Sequence, residues 1–345
     1  MREKMDNMKI FRITEPGKTE LIEGGIPTPG ENEALLRVRY CGVCGADVAS
    51  FTGNQPFTTY PRIPGHEFSA EIAALPDGYK GGLAVGDIVT ANPYFNCGSC
   101  YSCRRGHINC CTDNRTMGVQ RDGSFSQYIT MPVGRIYGGR GLDAKLLALV
   151  EPFSIGWHAL HRAPVKAGDR VLIIGAGPIG LFALISAKRL GARVYCADLL
   201  DGRLDKAKAF GADGVVNTKK TPLADFTQEV TGGDGFDVCV EACGAPETFL
   251  AAIDCAAFAA NIILIGNGKR PATFVHSVIL KKELNIFGSR NSLPEDFTGL
   301  IDYIAEGNID LMKLVSGIYP IDRADEAFAA LTSNDGSLCK LLIEM

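Results

Sequence analysis

No stretch of the chain approaches the ~20 consecutive apolar residues that a membrane-spanning helix needs, so no membrane partner is expected. The first residues, Met1 to Met8, lack the apolar core of a secretory signal. No Lys/Arg run forms the footprint of a nucleic-acid binder, and the net charge is −4. Internal repeats and low-complexity segments are also missing. These absences leave a cytoplasmic chain acting on a small molecule as the expectation. Hydrophobic residues make 46% and charged residues 21%, a globular composition. At 345 residues the chain is long enough for two domains with separate cores.

Cysteine, by contrast, is abundant: there are 12. In a reducing compartment these are expected to be metal ligands, catalytic groups or buried thiols rather than disulfides. Cys97, Cys100, Cys103 and Cys111 follow a C-x2-C-x2-C-x7-C spacing. Four thiolates so close meet the demand of a closed, tetrahedral zinc site. The loop that carries them has too little apolar content to order itself by packing, and a metal can supply that free energy. Cys110 is a spare thiol without a role, and His107 is superfluous to a four-sulfur site.

The stretch Val171-Leu-Ile-Ile-Gly-Ala-Gly-Pro-Ile-Gly180 reads as a buried parallel strand followed by a glycine turn and a helix. Gly175, Ala176, Gly177, Pro178, Ile179 and Gly180 let backbone approach a pyrophosphate, and the helix N-terminus offers it free N–H groups. A second strand, Arg193 to Ala197, ends at Asp198, placed to accept hydrogen bonds from the adenosine ribose. Its carboxylate would repel a 2′-phosphate, so NAD is expected over NADP. Arg203 is expected to pack beside the adenine or to solvate its helix.

Further strands are expected at Gly214–Val216, Asp237–Val240, Ile262–Ile265 and Asn285–Phe287, with helices such as Gly202–Phe210 and Pro246–Phe258 between them. Such alternation means a parallel sheet wound on both faces. Gly266 and Arg290, each just beyond one of these strands, complete the candidate cofactor set. Arg290 can also face the cleft beyond the strand ends, where a guanidinium suits a substrate carboxylate. The first 140 residues show period-two strands and long loops, and the tail from Pro294 is mixed, closing on a strand at Cys339–Ile343.

Cys44, His66, Glu67 and Glu151 remain as thiolate, imidazole and carboxylate candidates for a second zinc, of the open kind. With Gly42-Val-Cys-Gly45, Gly65-His-Glu67, the four-cysteine lobe, Gly118 to Tyr128, Glu151-Pro152 and Val171 to Gly180 all in order, the chain resembles the zinc-dependent medium-chain dehydrogenase/reductase superfamily of alcohol and polyol dehydrogenases. The resemblance implies an α/β protein: a GroES-like β-barrel catalytic domain with a doubly wound, parallel-sheet Rossmann domain inserted in it. It places residues 1–153 and 290–345 in the catalytic domain and 154–289 in the NAD-binding domain. It implies two zinc ions per chain, the catalytic one on Cys44 and His66 with Glu67 or Glu151 completing the shell. A homo-oligomer, dimer or tetramer, is expected.

Shorter strings, such as Gly53-Asn-Gln-Pro-Phe57, Val150-Glu-Pro-Phe153 and Gly288-Ser-Arg-Asn291, look like the L-gulonate and L-galactonate 5-dehydrogenase branch. Sorbitol, galactitol-phosphate and threonine dehydrogenases share most of the frame. Family members usually carry Ser or Thr two residues after the first zinc cysteine and His three residues beyond. This chain has Ala46 and Ala49, so the usual proton relay is missing, with Asp47 retained between them. Asp47, the unligated carboxylate of Glu67 and Glu151, a substrate hydroxyl or water must then take the proton. The same alanines admit a competing reading, a non-catalytic zinc- and nucleotide-binding sensor.

Overall fold

The computed structural model describes residues 7–345; the Met1 to Asp6 part of the N-terminal stretch, where no secretory signal was found, lies outside the described residues. The chain divides into two compact units. One holds the residues up to Glu151 together with Leu293–Met345, and the other is Pro152–Ser292.

The inserted unit contains six parallel strands. In spatial order they are Gly214–Asn217, Arg193–Asp198, Arg170–Ile174, Phe236–Glu241, Ala256–Leu264 and Asn285–Gly288. Strand order therefore reverses between Arg170–Ile174 and Phe236–Glu241, the switch point where doubly wound sheets take ligands. Val171, Leu172 and Ile173 are fully buried, as the unbroken apolar run requires of a strand covered on both faces.

One boundary differs from the sequence reading. The helix expected over Pro246–Phe258 stops at Cys255, and Ala256 to Leu264 is strand. The run Ala-Ala-Phe-Ala-Ala has no period that separates helix from strand. Tertiary contacts decide it: Lys282 Nζ donates to the carbonyls of Ile253, Asp254 and Ala256 at 2.8–2.9 Å and so caps the helix there. A helix over Val150–Arg162 also escaped the sequence reading. Pro152 inside it looks like a breaker, but in the first turn its missing N–H has no helical partner to lose.

The other unit is built on a seven-stranded sheet, mainly antiparallel. Its central strand, Glu33–Gly42, pairs along one edge with Glu67–Ala74. Its other edge is divided between Tyr128–Pro132 and the closing strand Lys340–Glu344. The C-terminal segment thereby completes this sheet. A core of Leu36, Val38, Phe68, Ile72, Phe125, Met131 and Phe328 lies against it. Among the described residues no helix is long and apolar enough to cross a membrane.

Candidate metal centres and nucleotide turn

Cys97, Cys100, Cys103 and Cys111 bring their sulfurs within 4.8 Å of one another. A tetrahedral zinc with Zn–S bonds of about 2.3 Å needs sulfurs roughly 3.8 Å apart, so the set fits with little adjustment. N–H donors already point at the sulfurs: Cys97 N lies 3.2 Å from Cys111 Sγ and Cys100 N lies 3.3 Å from Cys97 Sγ. Backbone hydrogen bonds from Cys103 and Thr112 draw the Cys100 thiol down to about 5, favouring the thiolate that a metal requires. His107 and Cys110 are both exposed.

The second centre lies where the seven-stranded sheet meets the short helix Gly45–Phe51. Cys44 caps the start of that helix, and Glu67 opens the strand Glu67–Ala74. Donor atoms of Cys44, His66 and Glu67 fall within 4.8 Å of one another. His66 and Glu67 are buried, with 6% and 1% exposure. The donor set of sulfur, nitrogen and oxygen suits zinc. His66 Nδ1 is buried without a hydrogen-bond partner, 3.9 Å from Asp47 Oδ1.

Asp47 itself is fully buried and spends both oxygens on backbone: Oδ2 accepts from Cys44 N and Oδ1 from Gly65 N, each at 2.9 Å. It ties the two ligand-bearing segments to each other. Of the two roles open to it in the sequence, proton acceptor or backbone cap, these bonds describe the cap.

The two acids have different partners. Lys340 Nζ lies 2.8 and 2.7 Å from the two oxygens of Glu67, and both side chains are buried. The room for this carboxylate comes from Gly42, which pairs with Glu67 across the ladder; a Cβ there would overlap Glu67 Oε2. Glu151, in the first turn of Val150–Arg162, accepts a hydrogen bond from the Tyr94 hydroxyl. Burial pushes its carboxyl up to about 7, with the charge of Glu67 adding to the rise and those of His66 and Lys340 opposing it. Lys340 and Tyr94 were missed in the sequence. Lys340 has a weak signal, as a charge inside the otherwise apolar strand Lys340-Leu-Leu-Ile343; Tyr94 has none.

In the inserted unit the turn after Ile174 has the form the sequence implied. Gly175 has φ of +100°, and a Cβ on Gly180 would overlap Gly175 O. Nothing stands within 4 Å of a Cβ at Gly177, which leaves the approach to the helix Pro178–Arg189 open. Asp198, 8% exposed, accepts from Ala176 N at 2.8 Å and from Leu200 N at 3.1 Å. Arg203 Nη1 lies 3.5 Å from Asp198 Oδ2, as the helix starting at Asp201 turns the side chain back toward the strand end.

Glu241 was also missed in the sequence. Buried at the end of its strand, it accepts from Cys243 N, Gly244 N and Thr248 Oγ1 at 2.7–2.8 Å. With Gly244, Phe249, Gly266 and Arg270 it lines a cavity of about 160 Å³ at the carboxyl ends of the strands. Arg290 follows the last strand and is exposed.

Known proteins carry the same two-part pattern. Residues 30–138 match the alcohol dehydrogenase GroES-like domain and residues 178–306 match the zinc-binding dehydrogenase domain. L-galactonate-5-dehydrogenase of Escherichia coli K12 is 33% identical over 98% of this chain and 99% of its own length. Sorbitol dehydrogenase of Halalkalibacterium halodurans is 33% identical, covering 92% and 93%. Among solved structures, the short chain alcohol dehydrogenase RspB of Escherichia coli CFT073, complexed with NADH, superposes with a TM-score of 0.92 at 32% identity, covering 99% of this chain and all of that one.

Proposed function

The chain belongs to the zinc-binding alcohol dehydrogenase family, and from that premise we propose that it uses zinc and NAD to oxidise a secondary alcohol of a sugar acid, of the L-gulonate or L-galactonate type, to the ketone. It is an oxidoreductase acting on CH–OH groups, of the polyol and sugar-acid class. The observation that supports the finer reading is similarity along nearly the whole chain, at 33% identity, to L-galactonate-5-dehydrogenase, combined with the donor set Cys44, His66 and Glu67.

Cys44, His66 and Glu67 would hold the catalytic zinc, and the four cysteines of the lobe a structural one. Zinc, when bound, polarises the alcohol oxygen and lowers its pKa. NAD, when bound, accepts the hydride. The chain's own residues do the rest. Asp47 holds Cys44 and Gly65 in register, so the ligand geometry exists before substrate arrives. Glu151, buried beside the donor set, takes the alcohol proton on a carboxylate oxygen in place of the relay that Ala46 and Ala49 cannot provide. Such acid–base help contributes typically 10²–10⁴-fold. Asp198 would receive the ribose hydroxyls and discriminate against a 2′-phosphate. Arg290 would bind the substrate carboxylate.

The test is NADH formation over a panel of neutral polyols and aldonates, run in parallel with NADP and with an Arg290→Ala variant. Aldonates should be turned over with the higher kcat/KM, NAD should be preferred, and the variant should lose aldonates selectively. Equal loss of polyols and aldonates removes the carboxylate role of Arg290. No turnover of any compound by zinc-loaded protein returns the sensor reading.

A further inference from the structure

We propose that Lys340 is a positioning residue for the metal centre: it fixes the Glu67 carboxylate as a ligand and sets a positive charge inside the buried acidic site. The inference rests on the reading of Cys44, His66 and Glu67 as zinc ligands. Lys340 contacts neither substrate nor cofactor in this scheme and acts through Glu67.

Three observations point to it. Both Nζ–Oε distances are short, 2.8 and 2.7 Å, so the ammonium fixes the plane and rotation of the carboxylate rather than touching one corner. Val43 O, 3.5 Å from Nζ, holds the ammonium from a third direction. Each carboxylate oxygen keeps a further lone pair for a metal.

The register of the sheet explains how the lysine arrives. Leu342 of the closing strand pairs with Gly42, and Gly42 pairs with Glu67 on the opposite edge. Because Gly42 has no side chain, a group from the closing strand can reach Glu67 across the middle strand. A second residue is thereby committed to the same arrangement.

Charge makes the third observation. Cys44, Asp47, Glu67 and Glu151 gather four acidic groups in this part of the fold, and a divalent metal answers only two negative charges. Lys340, only 3% exposed, sets a positive charge among them. An unbalanced buried charge is costly. A lysine placed here offsets part of the negative charge gathered around the metal. Without it, Glu67 must be turned into place at the moment the metal binds.

The experiment uses the full-length protein loaded with zinc or cobalt. Transfer of metal to a chromophoric chelator measures retention. The cobalt difference spectrum against Cys44→Ser isolates the mixed-ligand centre from the four-sulfur one. Lys340→Met should release metal from the mixed centre about 10- to 100-fold more readily, the range seen when partners of metal ligands are lost, and should shift the cobalt bands. Lys340→Arg should restore both. In a Glu67→Gln background, Lys340→Met should add nothing further.

Wild-type retention and an unchanged spectrum in Lys340→Met would overturn the inference. So would an additive effect in the Glu67→Gln background, which marks Lys340 as merely structural. If the single variant does not fold, the pair Lys340→Met/Glu67→Gln, which buries no unpaired charge, is compared with Glu67→Gln alone and decides the same point. Wild-type protein holding metal only on the four cysteines would remove both this inference and the catalytic-zinc reading. Full wild-type metal with indifferent Lys340 variants would remove this one alone.

Discussion

Cys97, Cys100, Cys103 and Cys111 gather their sulfurs within a single short loop that is largely exposed, where Asn109 and Cys111 are the buried residues between the first and last ligand. Cys44, His66 and Glu67 gather theirs from a helix cap and a strand start, enclosed by a sheet whose last strand comes from the far end of the chain. The first arrangement buries little of its own surface, so the free energy to order it is expected from a metal. The second has its scaffold already: Asp47 bonds the two ligand segments together and Lys340 holds the carboxylate. A closed site of this kind lends stability to a loop, whereas an open one takes stability from the fold in order to keep a position free for chemistry.

Replacing Cys44 by Ser breaks the comparison most sharply. Turnover should fall by about 10³-fold or more, the several kcal/mol that a Lewis acid contributes, while elemental analysis still finds one zinc and the thermal unfolding profile keeps its shape. A large loss of secondary structure would show that the open site also supports the fold.

Cys100→Ser asks the converse. The loop from residue 97 to 111 should become the first site of limited proteolysis, since metal binding supplies on the order of 10 kcal/mol of ordering in small zinc modules. The Cys44 centre should keep its metal. If proteolysis is unchanged, packing rather than metal orders the lobe.

The buried pair Lys340–Glu67 should show the next largest effect, on stability. In protein stripped of zinc, Lys340→Met alone leaves the Glu67 carboxylate buried and unpaired and should cost ~3–5 kcal/mol in urea unfolding. The double variant Lys340→Met/Glu67→Gln should recover most of that. Equal destabilisation in both would mean that the lysine's aliphatic stem, not its charge, is what the core needs.

Smallest of all, Cys110→Ser should stay within about 0.5 kcal/mol of wild type, as an exposed side chain off any special feature does. Loss of zinc from the lobe in this variant would add a fifth sulfur to the account of that site.

The four-cysteine lobe and the glycine turn were legible because each is complete within a few consecutive residues. Ligand spacing sets the first. Strand, turn, helix and a following acid set the second, where Asp198 accepts from Ala176 N. The alternating strands and helices likewise implied the parallel sheet, since a buried strand needs an unbroken apolar run. The end of the helix at Cys255 was not legible, because it depends on Lys282 reaching three carbonyls from a distant segment.

At the open centre, the sequence by itself determined the residue types: one thiol, one imidazole and two carboxylates, each beside a recognisable neighbour. Only the tertiary structure decided how they differ. Glu67 and Glu151 are the same chemistry in sequence, yet one lies against an ammonium and the other against a phenol. Both partners are remote in the chain, and the lysine reaches its carboxylate because a strand from the C-terminal segment pairs beside Gly42. Composition and spacing carry no record of such meetings. They are set by register across a sheet, where a displacement of one residue would turn Lys340 to the other face.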